Sequence, residues 1–499
     1  MPTKLFSLNP LLLLAVSVLL AFLFSSPRQL KHHQLKHQML SSSSLFQDCK
    51  DLRELTLPPR IKRLDWIKGK RLEKLNASAT KISSLEGLPS SLRELDVSNN
   101  ASLESLQSVP RGLRSLDIRG TKIRNLQDLP PRLEVLKVSG SAIRGLKSLG
   151  PHLRELYLEN VEVNDFVDLP RDLKGLHLTG RNFESLIGLP PALRVLTLQG
   201  TRIGSLKGLP SALQDLELTQ SLTDNPIRFE IEDLPERLTK LAIEAGLGPF
   251  DLSDRKYLVW LADLRDAPTK RTLPPFLSSV TLKAPSAQLP SSVRALALEG
   301  ATSNPLDNLP PGLEDLSLEY YTGPELGRLP SNLKRFSVKY TSLAKLPIMP
   351  AELAELQIIQ TDIVSFDGIP GDLQILVFCQ TQVKKIDGIR DRFAKLQQLD
   401  LCESAFLEEI GPLPKGLKKL NISQTSVHWL PAGLKDLGDL EDLNISRTPI
   451  RLSSLKELPR KLKVLTVSDG QVSSWEGFPP GLQTLRFEGT AGEEAGRRP

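Results

Sequence analysis

Apolar and polar positions follow one fixed pattern along almost the whole chain. In residues 113–132, apolar side chains occupy Leu113, Leu116, Ile118, Ile123, Leu126 and Leu129, and Pro130 follows at once. The same order returns about every 20 residues between Leu52 and Leu482, which gives 22 units. Such self-similarity at a fixed period is the sequence sign of a repeat architecture, in which each unit packs only on its neighbours.

Each unit predicts a short strand followed by an extended return. Leu116 and Ile118 alternate with polar residues, which indicates a strand that buries every second side chain. The Leu-Pro step that ends each unit suits an extended or polyproline II segment, since proline fixes φ and lacks an N–H. A period of about 20 residues with L-x-x-L-x-L is typical of leucine-rich repeats. We therefore predict a repeat solenoid: a leucine-rich repeat arc with a parallel β-sheet on the concave face and extended or polyproline II segments on the convex face.

Threonine usually occupies the ninth position of the unit, directly after the strand. A hydroxyl can donate and accept hydrogen bonds, so we predict that these residues satisfy backbone groups at the turn and have no catalytic role. The set is Thr80, Thr121, Thr201, Thr341, Thr361, Thr381, Thr425 and Thr448.

The unit L-x-x-L-x-L-x-x-T-x-I-x-x-L-x-x-L-P resembles the short bacterial repeats of the YopM and IpaH effector class. The resemblance covers about Leu52 to Glu488. It departs from that class in its ninth position, where the class has asparagine. Only residues 489–499 follow the repeats and no cysteine fits the IpaH catalytic motif. The resemblance therefore implies a binding array without the ubiquitin-ligase domain.

The chain divides into four parts, of which the repeats form one. Residues 1–27 contain the uncharged run Leu11 to Phe24 and predict a signal or membrane anchor. Residues 28–48 predict a disordered polar stalk, and residues 489–499 a flexible tail. The solenoid takes residues 49–488. Its spacing is irregular at 219–292, which indicates either a functional insertion or the joint between two repeat arrays. We expect an exposed edge at the last strand, near Leu485 and Phe487, that could pair with another copy.

Charge and cysteine content narrow the classes of partner. The net charge of +6 comes from 64 basic and 58 acidic residues. The sequence has no basic run with interleaved aromatic residues, so it does not predict nucleic-acid binding. Cys49, Cys379 and Cys402 are too few for a disulfide framework. Cys379 and Cys402 occupy the same position of consecutive units, so they either pair with some distortion or remain two free thiols, and we favour free thiols. We interpret the histidines of the stalk as part of a linker and predict no metal and no cofactor.

The third, fifth and seventh positions of each unit alternate with buried leucines and should face solvent on the sheet. Contiguous apolar residues on such a face often mark a partner site. We predict partner binding at Ile359, Ile375, Val377 and Cys379, with further candidates at Trp260, Tyr157 and His177.

Function is predicted from the repeats and the N-terminal segment together. The leading hypothesis is a non-catalytic scaffold that binds a protein ligand through the concave face and is membrane-anchored or exported. The alternative is a secreted effector acting on proteins of another cell. The scattered histidines, and the absence of a phosphate loop or a nucleophile elbow from the sequence, predict that the protein is not an enzyme and has no small-molecule substrate. The predicted localisation is membrane, as a single-pass protein of undetermined orientation, or secreted.

Overall fold

A computed structural model describes residues 51–140, 143, 145–163, 165–219, 231–243, 252, 254–263, 273–282, 289–301, 309–323 and 326–488. The predicted anchor, the stalk, Cys49 and the tail lie outside the described residues, so those assignments stay predictions. Within the described residues, no helix has the length and apolar character needed to span a membrane.

In the part of the chain that the structure describes, twenty-four strands account for most of the regular structure. In chain order they are β1 Glu54–Thr56, β2 Lys74–Asn76, β3 Glu94–Asp96, β4 Ser115–Asp117, β5 Val135–Ser139, β6 Glu155–Glu159, β7 Gly175–Thr179, β8 Val195–Gln199, β9 Asp215–Thr219, β10 Lys240–Ile243, β11 Trp260–Asp263, β12 Ser279–Leu282, β13 Ala295–Glu299, β14 Asp315–Glu319, β15 Arg335–Thr341, β16 Glu355–Thr361, β17 Ile375–Cys379, β18 Lys385–Ile386, β19 Gln398–Asp400, β20 Glu409–Ile410, β21 Lys419–Asn421, β22 Asp442–Asn444, β23 Val464–Ser468 and β24 Thr484–Glu488.

Helical structure in the described residues is limited to single turns. There is one α-helical turn, α1 Ile389–Arg392, and four 3₁₀ turns at Asp65–Ile67, Ile231–Asp233, Leu434–Asp436 and Leu455–Glu457.

Twenty-two of the strands form one parallel sheet, and β18 pairs with β20 in a separate two-stranded sheet. The predicted alternation is confirmed in β5, where Leu136 and Val138 are fully buried while Val135, Lys137 and Ser139 are half-buried. The solenoid and its parallel sheet are thus confirmed. The extended convex segments stay a prediction.

After many of the described strands, the chain turns through a residue with positive φ. Gly120 has φ 66°, and Asn160, Tyr320 and Gln360 have φ 52°, 54° and 50°. Glycine and asparagine adopt this left-handed region at low cost, whereas a tyrosine there is under strain. The turn places the ninth residue back under the sheet.

The ninth-position threonines perform the predicted structural role at most sites. Thr121 Oγ1 donates to the Ile118 carbonyl at 2.7 Å, and Thr425 Oγ1 to the Ile422 carbonyl at 2.8 Å. Thr361 instead accepts the Ile363 N–H at 3.3 Å. Thr201 is the exception, because its buried hydroxyl has no hydrogen-bond partner.

The sheet closes on itself, which the sequence did not predict. Strand β24 pairs in parallel with β1, and Leu485 lies opposite Leu55. The Gln483 carbonyl accepts the N–H of Arg53 at 2.8 Å and the N–H of Glu54 at 3.1 Å. The predicted exposed edge at β24 is therefore wrong. Twenty-two repeats complete the circle, which is an average rotation of roughly 16° per repeat, and the two terminal edges cover each other.

Pairing joins equivalent repeat positions all the way round the closed sheet. The register stays continuous through the irregular region, where Leu216 pairs with Leu241, Leu261 with Val280, and Val280 with Leu296. Because no register shift accumulates before Leu485 returns to Leu55, the strands run along the axis of the ring without net stagger.

Candidate binding face of the closed sheet

The side of the sheet that carries the third, fifth and seventh positions of each repeat is called the open face here. In β7, for example, Leu176 and Leu178 are fully buried while His177 and Thr179 are half-buried. Since the buried leucines hold the repeats together, residues of the open face are the ones available to a partner.

Four predicted binding residues lie on β16 and β17 and form what we call the apolar strip: Ile359, Ile375, Val377 and Cys379. Ile359 lies directly opposite Cys379, while Glu355 and Gln357 face Ile375 and Val377. Ile359, Ile375 and Val377 are half-buried, and Cys379 is almost fully buried at 3% exposure. The strip therefore offers three partly exposed aliphatic side chains. Their role in binding stays a prediction.

Tyr157 and His177, also predicted to bind, lie directly opposite each other on β6 and β7. Their rings stack with centroids 4.0 Å apart and an angle of 7° between the planes. The Lys137 ammonium lies 5.0 Å from the centre of the Tyr157 ring, and His177 Nδ1 lies 3.0 Å from Thr197 Oγ1. Fifth-position residues of four consecutive strands thus form a continuous row.

Burial shifts the pKa of both stacked rings. It lowers the pKa of His177 below its ordinary value of 6.5, because the charged imidazolium loses water; nearby Lys137 acts in the same direction and Glu155 opposes it. Burial also raises the pKa of Tyr157, and the Glu155 carboxylate adds to that rise. The row therefore favours a neutral histidine at neutral pH.

Trp260, the remaining predicted site residue, opens β11 and is half-buried between Lys240 of β10 and Ser279 of β12. Four strands, β12 to β15, lie between it and the apolar strip, so it does not join that surface.

A depression of about 200 Å³ on β12–β16 was missed by the sequence reasoning. Small side chains line it, since Ala295, Ala297, Ser317 and Ser337 stand where other repeats have larger residues. Asp315 contributes a buried Oδ1, and Ser337 a buried hydroxyl, that have no hydrogen-bond partner. A run of alanine and serine at the third and fifth positions was the signal that could have found it.

The two repeat cysteines meet at the edge of the apolar strip. Both are free thiols, as predicted, and Cys402 Sγ lies 2.8 Å from Cys379 Sγ. Cys379 Sγ also donates to Asp400 Oδ1 at 3.2 Å. Burial, Cys402 and Asp400 together raise the pKa of the Cys379 thiol, with the hydrogen bond to Cys402 as the largest cause. Sequence reasoning placed the two cysteines side by side and missed Asp400.

A cleft of about 550 Å³ lies where β4–β7 begin. Basic and acidic side chains share it, and Arg114 and Glu134 form an ion pair at 3.3 Å. The charged lining residues are Arg114, Arg132, Glu134, Arg154, Asp172 and Lys174, and His152 also lines the cleft. This mixture does not select a ligand of one charge.

The 22 in-register parallel strands and the repeated turn define a leucine-rich repeat solenoid, here with a closed sheet. Three solved structures are similar to this chain. YopM from Yersinia enterocolitica is 23% identical over 86% of this chain and 91% of its own, with a TM-score of 0.35. CroV588, described as a novel circular leucine-rich repeat structure, is 16% identical over 88% of this chain and 80% of its own, with a TM-score of 0.35.

The third similar structure is a TLR13–ssRNA13 complex, 16% identical over 89% of this chain and 75% of the matched chain, with a TM-score of 0.37. At these scores the likenesses carry no information on ligands, and the fold assignment rests on the strand register itself. No protein-family model matches the sequence, and no curated protein matches it either.

Proposed function

We propose that this protein is a non-catalytic scaffold that binds a narrow polypeptide segment on the open face of its closed sheet. The observation that carries the proposal is the parallel pairing of β24 with β1. It converts a long open surface into a bounded one, and this limits what can be bound.

The open face lines the inside of the ring on geometric grounds. Twenty-two strands spaced by about 4.8 Å give a circumference of roughly 106 Å and a diameter of about 34 Å between facing backbones. A cylinder of that width is too small for the packed remainder of all the repeats, because protein interiors do not compress. The repeat bodies therefore lie outside the sheet, and the third, fifth and seventh positions face inward.

The width of the ring selects the shape of the partner. Side chains that stand about 5 Å off each wall leave roughly 24 Å of free space. An α-helix with its side chains is about 10–12 Å across and fits this space. A domain of about 100 residues has a radius of gyration near 13 Å, so it fills the whole backbone diameter and is excluded. A tail, a loop or a single helix is the segment that fits.

The apolar strip and the depression supply complementary contacts for such a segment. Ile359, Ile375 and Val377 can cover an aliphatic side chain of the segment. In the depression, Asp315 Oδ1 and Ser337 Oγ can receive hydrogen bonds that nothing in the protein supplies. Both features lie on β12–β17, so one segment can reach both.

Selection of displayed random peptides on the immobilised full chain tests the proposal. We expect the synthetic form of a selected peptide to bind the Val377→Asp variant at least tenfold more weakly than the unmodified protein, because a charge replaces part of the apolar strip. The matched control is Val167→Asp at an outer loop residue that is 64% exposed, and it should bind normally. Equal binding by Val377→Asp, or equal loss in both variants, would contradict the proposal.

Membrane anchoring or export of this scaffold is part of the proposal, on the strength of the apolar run from Leu11 to Phe24. The alternative, an effector that acts on proteins of another cell, uses the same binding face and needs an export route. Following an epitope at Pro499 through cell fractionation and protease treatment separates the two. Detection of the epitope only in the producer's membrane fraction would exclude the effector.

A further inference from the structure

We propose that Cys379, Asp400 and Cys402 form a binding site for a thiophilic divalent cation such as Zn²⁺. Two thiol sulfurs and one carboxylate oxygen lie within 4.8 Å of one another at this point of the open face. The inference stands independently of the protein-binding proposal.

The closed sheet fixes the relative positions of the three side chains. Cys379 ends β17 and Asp400 ends β19, and the two strands pair with Val377 opposite Asp400. Cys402 follows two residues later, and its N–H donates to Asp400 Oδ1 at 3.1 Å. That hydrogen bond holds the carboxylate toward the two thiols, so the donor set is assembled without a ligand.

The distances suit a tetrahedral ion after a small movement. Zinc binds sulfur at about 2.3 Å and carboxylate oxygen at about 2.0–2.2 Å, which places neighbouring ligand atoms roughly 3.5–3.8 Å apart. Cys379 Sγ and Asp400 Oδ1 are 3.2 Å apart, and the two sulfurs are 2.8 Å apart. Rotation of the half-buried Cys402 side chain can supply the remaining separation.

The chemistry of the donors favours a soft cation. Thiolates select zinc and similar ions, whereas carboxylates and carbonyls alone suit calcium or magnesium. A divalent cation replaces the thiol protons and offsets three negative groups that would otherwise repel one another.

Three protein ligands leave one coordination position for water or for a group on a bound partner. Zinc sites closed by four protein ligands are structural, whereas sites with three keep an open position. Val377 of the apolar strip lies directly opposite Asp400, so the strip adjoins the site.

Cobalt titration of the reduced full-length protein tests the site. We expect one Co²⁺ per chain with a sulfur-to-cobalt charge-transfer band in the near ultraviolet, and displacement of Co²⁺ by Zn²⁺. Cys379→Ser and Cys402→Ser should each weaken binding at least tenfold and reduce the band. Asp400→Asn, which keeps an acceptor for the Cys402 N–H, should weaken binding while leaving the sulfur band visible at saturation.

The control is Cys49→Ser, which should bind Co²⁺ like the unmodified protein, and circular dichroism verifies that every variant is folded. The proposal is overturned if the reduced protein shows no charge-transfer band, or if the band survives in the double variant that lacks Cys379 and Cys402. Loss of two thiols in air together with no cobalt binding under reducing conditions would also overturn it, and would indicate a disulfide pair instead.

Discussion

The joint between β24 and β1 brings together strands that are far apart in the sequence, whereas the joint between β1 and β2 brings together neighbours. The two joints hardly differ in local structure. At the β1–β2 joint, the Arg53 carbonyl accepts the N–H of Glu73 at 2.8 Å and the N–H of Lys74 at 3.0 Å. At the β24–β1 joint, which we call the seam, the Gln483 carbonyl accepts two N–H groups at 2.8 and 3.1 Å. The same backbone geometry therefore joins neighbours in sequence and the two ends of the array.

The difference lies in how each joint is formed. Neighbouring repeats meet through a short connection, whereas the seam requires every intervening repeat to add its rotation correctly. Two ion pairs lie at the seam, since Arg60 lies 3.3 Å from Asp469 and Arg486 lies 3.9 Å from Glu54. The seam is thus the joint most sensitive to curvature, and the one that can open while all other joints stay intact.

The largest expected effect comes from truncating the buried leucine in each kind of joint. Leu485 in the seam strand and Leu116 in β4 occupy the same repeat position, and both are fully buried. Leu485→Ala and Leu116→Ala should each cost about 2–5 kcal/mol of unfolding free energy, by similar amounts. Denaturant unfolding measures both. A much smaller cost at Leu485 would indicate a frayed terminal repeat and an open seam.

A smaller effect is expected from proline at matched backbone positions. The Glu54 N–H donates across the seam, and the Glu94 N–H donates to the Glu73 carbonyl in an ordinary joint. Each substitution by proline removes one donor, while the carbonyl keeps its second N–H partner, Arg53 or Arg93, so the lost hydrogen bond costs about 0.5–1.5 kcal/mol. Glu54→Pro should open the ring and raise the radius of gyration in X-ray scattering. Glu94→Pro should destabilise the protein without opening the seam, and the same expansion in both would contradict this difference.

The smallest effect concerns a carboxylate two strands from the seam. Burial raises the pKa of Asp442 above 3.8, while Arg486 of the seam strand and Lys419 oppose the shift. The folded state then binds the proton more tightly than the unfolded state, so stability falls as the pH rises from the unfolded pKa through the folded pKa. Asp442→Asn should remove that fall and stabilise the protein at neutral pH. Denaturation midpoints across pH measure it, with Asp128→Asn at an exposed site as the control; identical pH profiles for unmodified protein and Asp442→Asn would refute it.

The sequence predicted what a single repeat determines. Alternation at Leu136 and Val138 predicted the strands, and the hydroxyl of Thr121 predicted the hydrogen bond to the turn. Closure could not be predicted in this way, because the rotation per repeat depends on packing across every joint and no residue of the unit signals its sum. The sequence therefore led to a free edge where β24 and β1 are paired.

The candidate sites also differ in whether the pattern of a single repeat predicts them. Stacking of Tyr157 on His177 follows from their shared position in adjacent units, as does the meeting of Cys379 with Cys402. To predict the depression from the sequence, one would need to know which polar atoms lose water on folding. Asp315 Oδ1 is buried only once the neighbouring strands are in place. Asp400 joins the thiols through hydrogen bonds from Cys379 Sγ and from the Cys402 N–H, which no repeat pattern contains.

The closed seam is tested most directly by a distance between spin labels on either side of it. Asp51 and Asp439 lie three inter-strand spacings apart across the seam. Arg71 and Arg132 lie three inter-strand spacings apart across ordinary joints, and all four residues are exposed. With the native cysteines replaced by serine, closure predicts the same backbone separation for both pairs, about 14 Å. A clearly longer distance for Asp51–Asp439 than for Arg71–Arg132 would show an open arc and contradict the account.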